Sequence, residues 1–146
     1  MTKQHLMVAA AVVLVSVGTL VAQQRPVDKL FTHYDHIAQA LVNDSLGGVH
    51  DAAVALRPLA LEIGGEAVTA PAAQLEAARS IEDIRTAFAA LSEVLVPKFL
   101  DANLPGVVGF VCTMKKAQWV QRGTTVANPY YGTAMPTCGV PIKREG

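Results

Sequence analysis

The stretch from Gly109 to Gly139 holds Cys112, Met114, Met135 and Cys138, together with the sole tryptophan, Trp119, and two of the three tyrosines, Tyr130 and Tyr131. Cys112 and Met114 are two apart, so an extended backbone would project both side chains to one face. Met135 and Cys138 are three apart with Pro136 between them, a spacing that lets a turn present both to one point. Brought together, the two pairs would make a pocket of thiolates and thioethers. Soft sulfur donors select copper(I) over hard cations, and a thioether stays unprotonated in an oxidising compartment, where free thiols are at risk. Trp119 could exclude water from such a pocket or meet a cation with its ring face. The rival reading of the same residues is a Cys112–Cys138 disulfide. Closing a loop of about 26 residues would stabilise the tail by roughly 3 kcal/mol, and Met114 and Met135 would then be gap-filling core residues.

Which reading applies depends on where the chain resides. Met1 to His5 carries one lysine and no acid, and Leu6 to Leu20 is almost wholly apolar. Val21-Ala22 then precedes the polar run Gln23-Gln24-Arg25-Pro26. This is the pattern of a signal peptide over residues 1–22, cleaved after Ala22 to leave a periplasmic or otherwise exported protein with no membrane attachment. The alternative is an anchor formed by an uncleaved N-terminal helix. Every sulfur outside this segment lies in the C-terminal tail, since the other methionines are Met1 and Met7. In an exported chain two cysteines pair more often than they bind metal.

With 146 residues the chain suits one domain. Its 12 basic and 12 acidic residues balance, and no basic run exceeds Lys115-Lys116, which excludes the clustered positive field that nucleic-acid binding needs. Aromatic residues make up only 5%, a composition that suits small-residue helix packing better than a β-sandwich.

The elements that must position the tail are helical. Leu30, Tyr34, Ile37 and Leu41 lie on one face of a helix from Val27 to Val42. Asn43-Asp44-Ser45 punctuates it with residues able to cap a following helix. A second helix is expected from Leu46 to Ile63, with Val49, Ala53, Leu56, Ala60 and Ile63 inward. Pro58 should kink or stop it and Gly64-Gly65 should end it. The alanine-rich run from Ala70 to Arg79 opens with Pro71, well placed in a first helical turn. Ser80-Ile81-Glu82-Asp83 resembles a capping box that starts the strongest helix. Ile81, Ile84, Phe88, Leu91 and Leu95 carry that helix to about Val96, where Pro97 bends or ends it. About four helices joined by short connections predict a mainly α protein, an up-and-down antiparallel bundle over residues 27–100. Asp101 to Gly106 reads as a linker. Residues 107–140 read as an irregular, partly β tail packed on the bundle within the same domain. Its short β-type runs are Val107 to Val111 and Gln118 to Gln121.

The order C-T-M, W, N-P-Y-Y-G, M-P-T-C-G resembles the C-terminal signature of a bacterial domain family. That family is found as an extension on periplasmic adaptor subunits of copper and heavy-metal efflux pumps, and as stand-alone exported proteins. Its usual form is Cys-Pro-Met, a tryptophan, Asn-Pro-Tyr/Phe-Gly, Met and Cys-Gly. The resemblance covers about Leu30 to Val140, is weak in the helices and is specific in the tail. It implies a helical bundle followed by an irregular tail that binds copper(I). Cys112, Met114, Met135 and Cys138 match the sulfur positions. Trp119, Asn128, Pro129, Tyr130 and Gly132 match the framework, with Tyr131 at the aromatic before Gly132. Thr113 departs from the usual proline.

His33 and His36, at i and i+3 on the first helix, form a candidate second metal site suited to copper(II), set against solvated surface histidines beside a buried Tyr34. No serine lies in a nucleophile-elbow context, and Cys-X-X-Cys-His is absent. The wide cysteine spacing argues against a redox enzyme of the Cys-X-X-Cys kind. Catalysis is therefore not expected. Two functions remain: an exported carrier, buffer or efflux accessory for copper(I), partnered by an efflux-pump adaptor or another periplasmic metal protein; or a metal-free interaction domain with its tail stapled by a Cys112–Cys138 disulfide.

Overall fold

The computed structural model describes residues 24–143, so the signal-peptide reading of residues 1–22 lies outside the described residues. The order is α1 (Pro26–Val42), α2 (Val49–Gly64), a 3-10 turn (Gly65–Val68), α3 (Thr69–Ala77), α4 (Ile81–Asp101), β1 (Val107–Cys112), β2 (Ala117–Arg122), a second 3-10 turn (Gly132–Ala134) and β3 (Val140–Pro141). The protein is mostly helical with a small antiparallel sheet at its C-terminal end. α2 ends at Gly64, where the glycine pair was expected to end it: Gly65 takes φ +64°, and the first 3-10 turn and α3 follow directly. No described helix is long and apolar enough to cross a membrane.

The helical faces follow the 3.6-residue period. Leu30, Tyr34, Ile37 and Leu41 of α1 are fully buried, as are Ala53, Leu56 and Ala60 of α2 and Phe88, Leu91 and Leu95 of α4. Tyr34 packs its ring against Phe88 and Phe99, and its hydroxyl meets the Ser92 hydroxyl at 2.7 Å. The Ser80 cap forms: its Oγ accepts from the Asp83 N–H at 3.1 Å. Neither proline ends its helix, since α2 runs through Pro58 to Gly64 and α4 through Pro97 to Asp101. The tertiary packing around these residues outweighs the lost ladder bond. The region read as a linker thus begins as the last turn of α4.

The sheet order is β2-β1-β3, all antiparallel. Phe110 faces Trp119 across the hairpin, Cys112 faces Ala117, and Phe110 and Val111 pair with Pro141 and Val140. Alternation in β1 turns Phe110 and Cys112 to the same buried side. One apolar core runs through helices and sheet, joining Phe31 and Leu91 to Phe110, Trp119 and Tyr130. The tail is therefore more ordered than its turn-rich composition suggests.

Asp44 does not cap α2, whose N-cap is Gly48 with no side-chain bond. It reaches across the fold instead. Its carboxylate accepts from the backbone N–H and hydroxyl of Thr133 and from the Arg85 guanidinium at 2.6 Å. Arg85 also donates to the Leu41 and Pro129 carbonyls. Gly132, at φ +54°, sits so close to this knot that a Cβ would collide with the Asp44 carboxylate and stand 2.5 Å from Arg85 Nη2. The Thr133 bonds, then Arg85, hold the Asp44 carboxyl down to about 2 from an ordinary 3.8. A depressed carboxyl contributes stability above its unfolded value and loses it as pH falls through its folded value. The melting temperature of the native protein should therefore exceed that of Asp44→Asn at pH 6, and the gap should close between about pH 4 and pH 2. A gap that stays constant over that window would show that ionised Asp44 does not hold the tail.

Candidate functional site

The sulfur pair is built by the end of one strand and the loop before another. Cys112 is the last residue of β1 and is fully buried, whereas Cys138 precedes β3 and is half-buried. Both are free thiols, and their Sγ atoms lie 4.0 Å apart. Residues separated widely in sequence thus meet because β3 returns alongside β1.

The methionines are placed differently from the cysteines. The extended backbone ends at Cys112, and residues 113–116 form the hairpin turn, with Lys116 at φ +51°. Met114 therefore leaves the strand before the two-residue alternation can act, and its side chain is 62% exposed. Its backbone N–H, close to the Cys112 sulfur, adds a small pull toward the ionised thiol. Met135 is half-buried, and its carbonyl accepts from the Cys138 N–H at 3.4 Å.

Asn128 organises the pair. Fully buried, it accepts at Oδ1 from the N–H groups of Tyr130 at 2.7 Å and Tyr131 at 3.2 Å, an Asx turn that sets the path of N-P-Y-Y-G. Its Nδ2 donates to the Cys138 carbonyl, and the amide sits near enough to Cys112 to favour the ionised sulfur. Both acceptor lone pairs of the amide are used, and one of its two donor hydrogens is tied to the Cys138 carbonyl. The Asn128 backbone adds N–H donation to the Pro136 carbonyl at 2.8 Å and acceptance from Gly132 N–H at 3.1 Å.

These donors govern the thiols. Burial opposes ionisation of Cys112, but the Lys115 N–H, the Asn128 amide, the Cys138 thiol and the Met114 N–H outweigh it and hold the Cys112 thiol below its ordinary range. Burial pushes the Cys138 thiol up, and the Cys112 sulfur beside it adds to the shift. Cys112 is thus the more easily ionised of the two thiols.

Trp119 is fully buried beneath this loop. Its ring stacks on Phe110 with centroids 5.4 Å apart and meets Tyr130 edge-on at 6.0 Å. Gly139 lies against it so closely that a Cβ there would stand 2.5 Å from Trp119 Cη2. The residue after Cys138 must be small for that reason. Trp119 Nε1 donates to Gln121 Oε1 at 3.0 Å, which also accepts from Ala127 N–H, while Gln121 Nε2 donates to the Thr125 carbonyl. The Tyr130 hydroxyl donates to the Gln118 carbonyl, and Lys115 Nζ lies 5.3 Å from the Tyr131 ring centroid. A cavity of about 200 Å³ opens between α4 and the hairpin, lined by Glu82, Arg85, Lys115, Ala117 and Tyr130 among others and by neither cysteine.

No family model, curated protein or solved structure is significantly similar to this chain. The site must be read from its own chemistry. Among the described residues, no three of His, Cys, Asp or Glu gather as a metal-binding group. Two thiols with two thioethers nearby in sequence are a different donor set, in which sulfur alone would hold an ion. His33 and His36 share a shallow open cleft with Asp51, and the His36 ring lies over Gly48. His50 is not part of that cleft; its Nδ1 pairs with the Glu76 carbonyl at 3.2 Å. Asp44, Arg85 and Gln121 shape the loop that carries Cys138, and sequence reasoning missed all three as site residues. Only Asp44 stood out beforehand, and for a capping role that it does not fill.

Proposed function

We propose that this chain is an exported protein that holds copper(I), or a similar soft ion, between Cys112 and Cys138 and passes it on by ligand exchange. The observation that carries this reading is the approach of two free thiols to 4.0 Å, with hydrogen-bond donors arranged around one sulfur. An ion bonded to both thiolates at roughly 2.3 Å would subtend an S–metal–S angle of about 120° across that gap, leaving room for further sulfur donors. Met135, half-buried and three residues before Cys138, and Met114, exposed in the adjoining turn, are the thioethers that complete the shell. The similarity of the tail to the signature described above supports copper and a periplasmic partner such as an efflux adaptor. Its framework residues Trp119, Asn128, Tyr130 and Gly132 have structural tasks here that hold the sulfur loop in place. Coordination and exchange make and break no substrate bonds, so the protein acts as a carrier or buffer.

The test is an anaerobic titration of the reduced chain with copper(I) against a chromogenic chelator. One ion should be bound per chain with both thiols protected. Leucine at both Met114 and Met135 should weaken binding by at least about tenfold, or 1.4 kcal/mol, while leaving the melting temperature unchanged. Unchanged affinity would remove the thioethers from the ligand set, and no competition with the chelator would remove the metal. A second reading draws on the same 4.0 Å gap, from which a disulfide could close and staple an interaction domain. Intact mass before and after mild reduction of freshly exported protein separates the two.

A further inference from the structure

The sequence spacing of the cysteines argues against dithiol chemistry, because a Cys-X-X-Cys pair owes its proximity to being local. The fold supplies that proximity another way, bringing Cys112 and Cys138 to 4.0 Å through the β1–β3 pairing. The two sulfurs are also unequally accessible. Cys112 is fully buried at the strand end, and Cys138 is half-buried in the loop that crosses Trp119. From these two facts we infer that the chain performs thiol–disulfide exchange with external disulfides, Cys138 being the sulfur that meets the outside molecule and Cys112 the one that resolves it.

The steps balance as follows. Cys138 first gives up its proton to solvent, and its thiolate attacks one sulfur of a small external disulfide, forming a mixed disulfide on Cys138 and expelling one thiolate of the reagent. The Cys112 thiolate then attacks Cys138 Sγ, closing the Cys112–Cys138 bond and expelling the second thiolate. Both cysteine protons pass to solvent or to the released thiols. The two electrons lost by the protein reside on the two reagent thiols, so one external disulfide is reduced for each chain oxidised. The second step needs the sulfurs to approach by only about 2 Å, from 4.0 Å to bonding distance. Rates of exchange follow access as well as thiolate fraction, which is why the outer sulfur goes first. This activity uses the sulfurs of the proposed metal site and needs no ion.

The experiment takes the reduced, metal-free full chain and adds oxidised glutathione, following mass and released thiol. The wild type should lose two hydrogens and release two thiols per chain. Cys112→Ser should stop at a glutathione adduct on Cys138 with one thiol released, and Cys138→Ser should react at least about tenfold more slowly than wild type. Cys138→Ser reacting as fast as wild type would overturn the assignment, as would wild type carrying two adducts without closing the ring. Since either variant could fold poorly, the unmodified protein gives an independent reading. With substoichiometric iodoacetamide, the label should fall on the tryptic peptide containing Cys138 (residues 123–143) in preference to the one containing Cys112 (residues 99–115). Preferential label on the latter would overturn the proposal. Copper(I) titration of the same preparation reports separately on the metal reading, so either can fail alone.

Discussion

Replacing Asn128 with alanine should destabilise the protein by about 3 to 4 kcal/mol, because it breaks three side-chain hydrogen bonds at a fully buried position. Each bond is worth little on its own, since water would replace it in the unfolded chain. The larger cost comes from the groups left behind. The Tyr130 N–H donates to Asn128 Oδ1, and the Cys138 carbonyl takes its side-chain bond from the same amide. Buried without partners, such groups cost about 1 to 3 kcal/mol apiece. Asn128→Asp sharpens the prediction. Its carboxylate can still accept from Tyr130 and Tyr131, but it cannot donate and would face two acceptors, the Cys112 sulfur and the Cys138 carbonyl. It should therefore lose stability comparably to alanine. Urea denaturation followed by far-UV circular dichroism checks both. A loss below about 1 kcal/mol for either would mean that the amide does not hold the loop.

Trp119→Ala should cost a similar amount or more, about 3 to 5 kcal/mol, by opening a cavity between Phe110, Tyr130 and Gly139. Gly139 is kept small by the ring, and the surrounding strands are held in register, so little can move in to fill the space. Trp119→Phe keeps an aromatic face for Phe110 and loses only the Nε1–H bond to Gln121, whose oxygen retains Ala127 N–H. Its expected loss is about 1 to 2 kcal/mol. Circular dichroism is again the probe, because these variants remove the only tryptophan. An alanine variant as stable as phenylalanine would show that the ring is not packed as described.

The helices were readable from the sequence because periodicity is local. Tyr34, Leu56 and Phe88 each sit at the repeat that buries them, and Ser80 caps α4 through a bond three residues long. Trp119, Asn128, Tyr130 and Cys138, picked out in the sequence as one set, do lie in contact with one another in the tail. What could not be read was which local rule stops applying. Met114 obeys two-residue alternation only if the strand continues past Cys112, and the turn at residues 113–116 removes the condition. Asp44 looked like a cap because caps are local, yet its partner is Thr133, far along the chain. No spacing rule covers a bond whose ends are brought together only by the packing of other elements. The cysteines are the same case, distant in sequence and 4.0 Å apart.

The anchors on either side of Cys138 have a consequence for how tightly a bridging ligand stays. Thr133 is tied to Asp44, and Val140 and Pro141 are paired with β1, so only a few residues lie between two fixed points. On so short a tether Cys138 cannot stray from Cys112, and each sulfur sees the other at a high effective concentration. A ligand that lets go of one sulfur is recaptured before it can leave the other. Release into solution is then slow even where each single bond is labile. Departure is fast only when an incoming donor takes the place of Cys138 first and Cys112 second, which gives handover to a partner a kinetic advantage over loss to water.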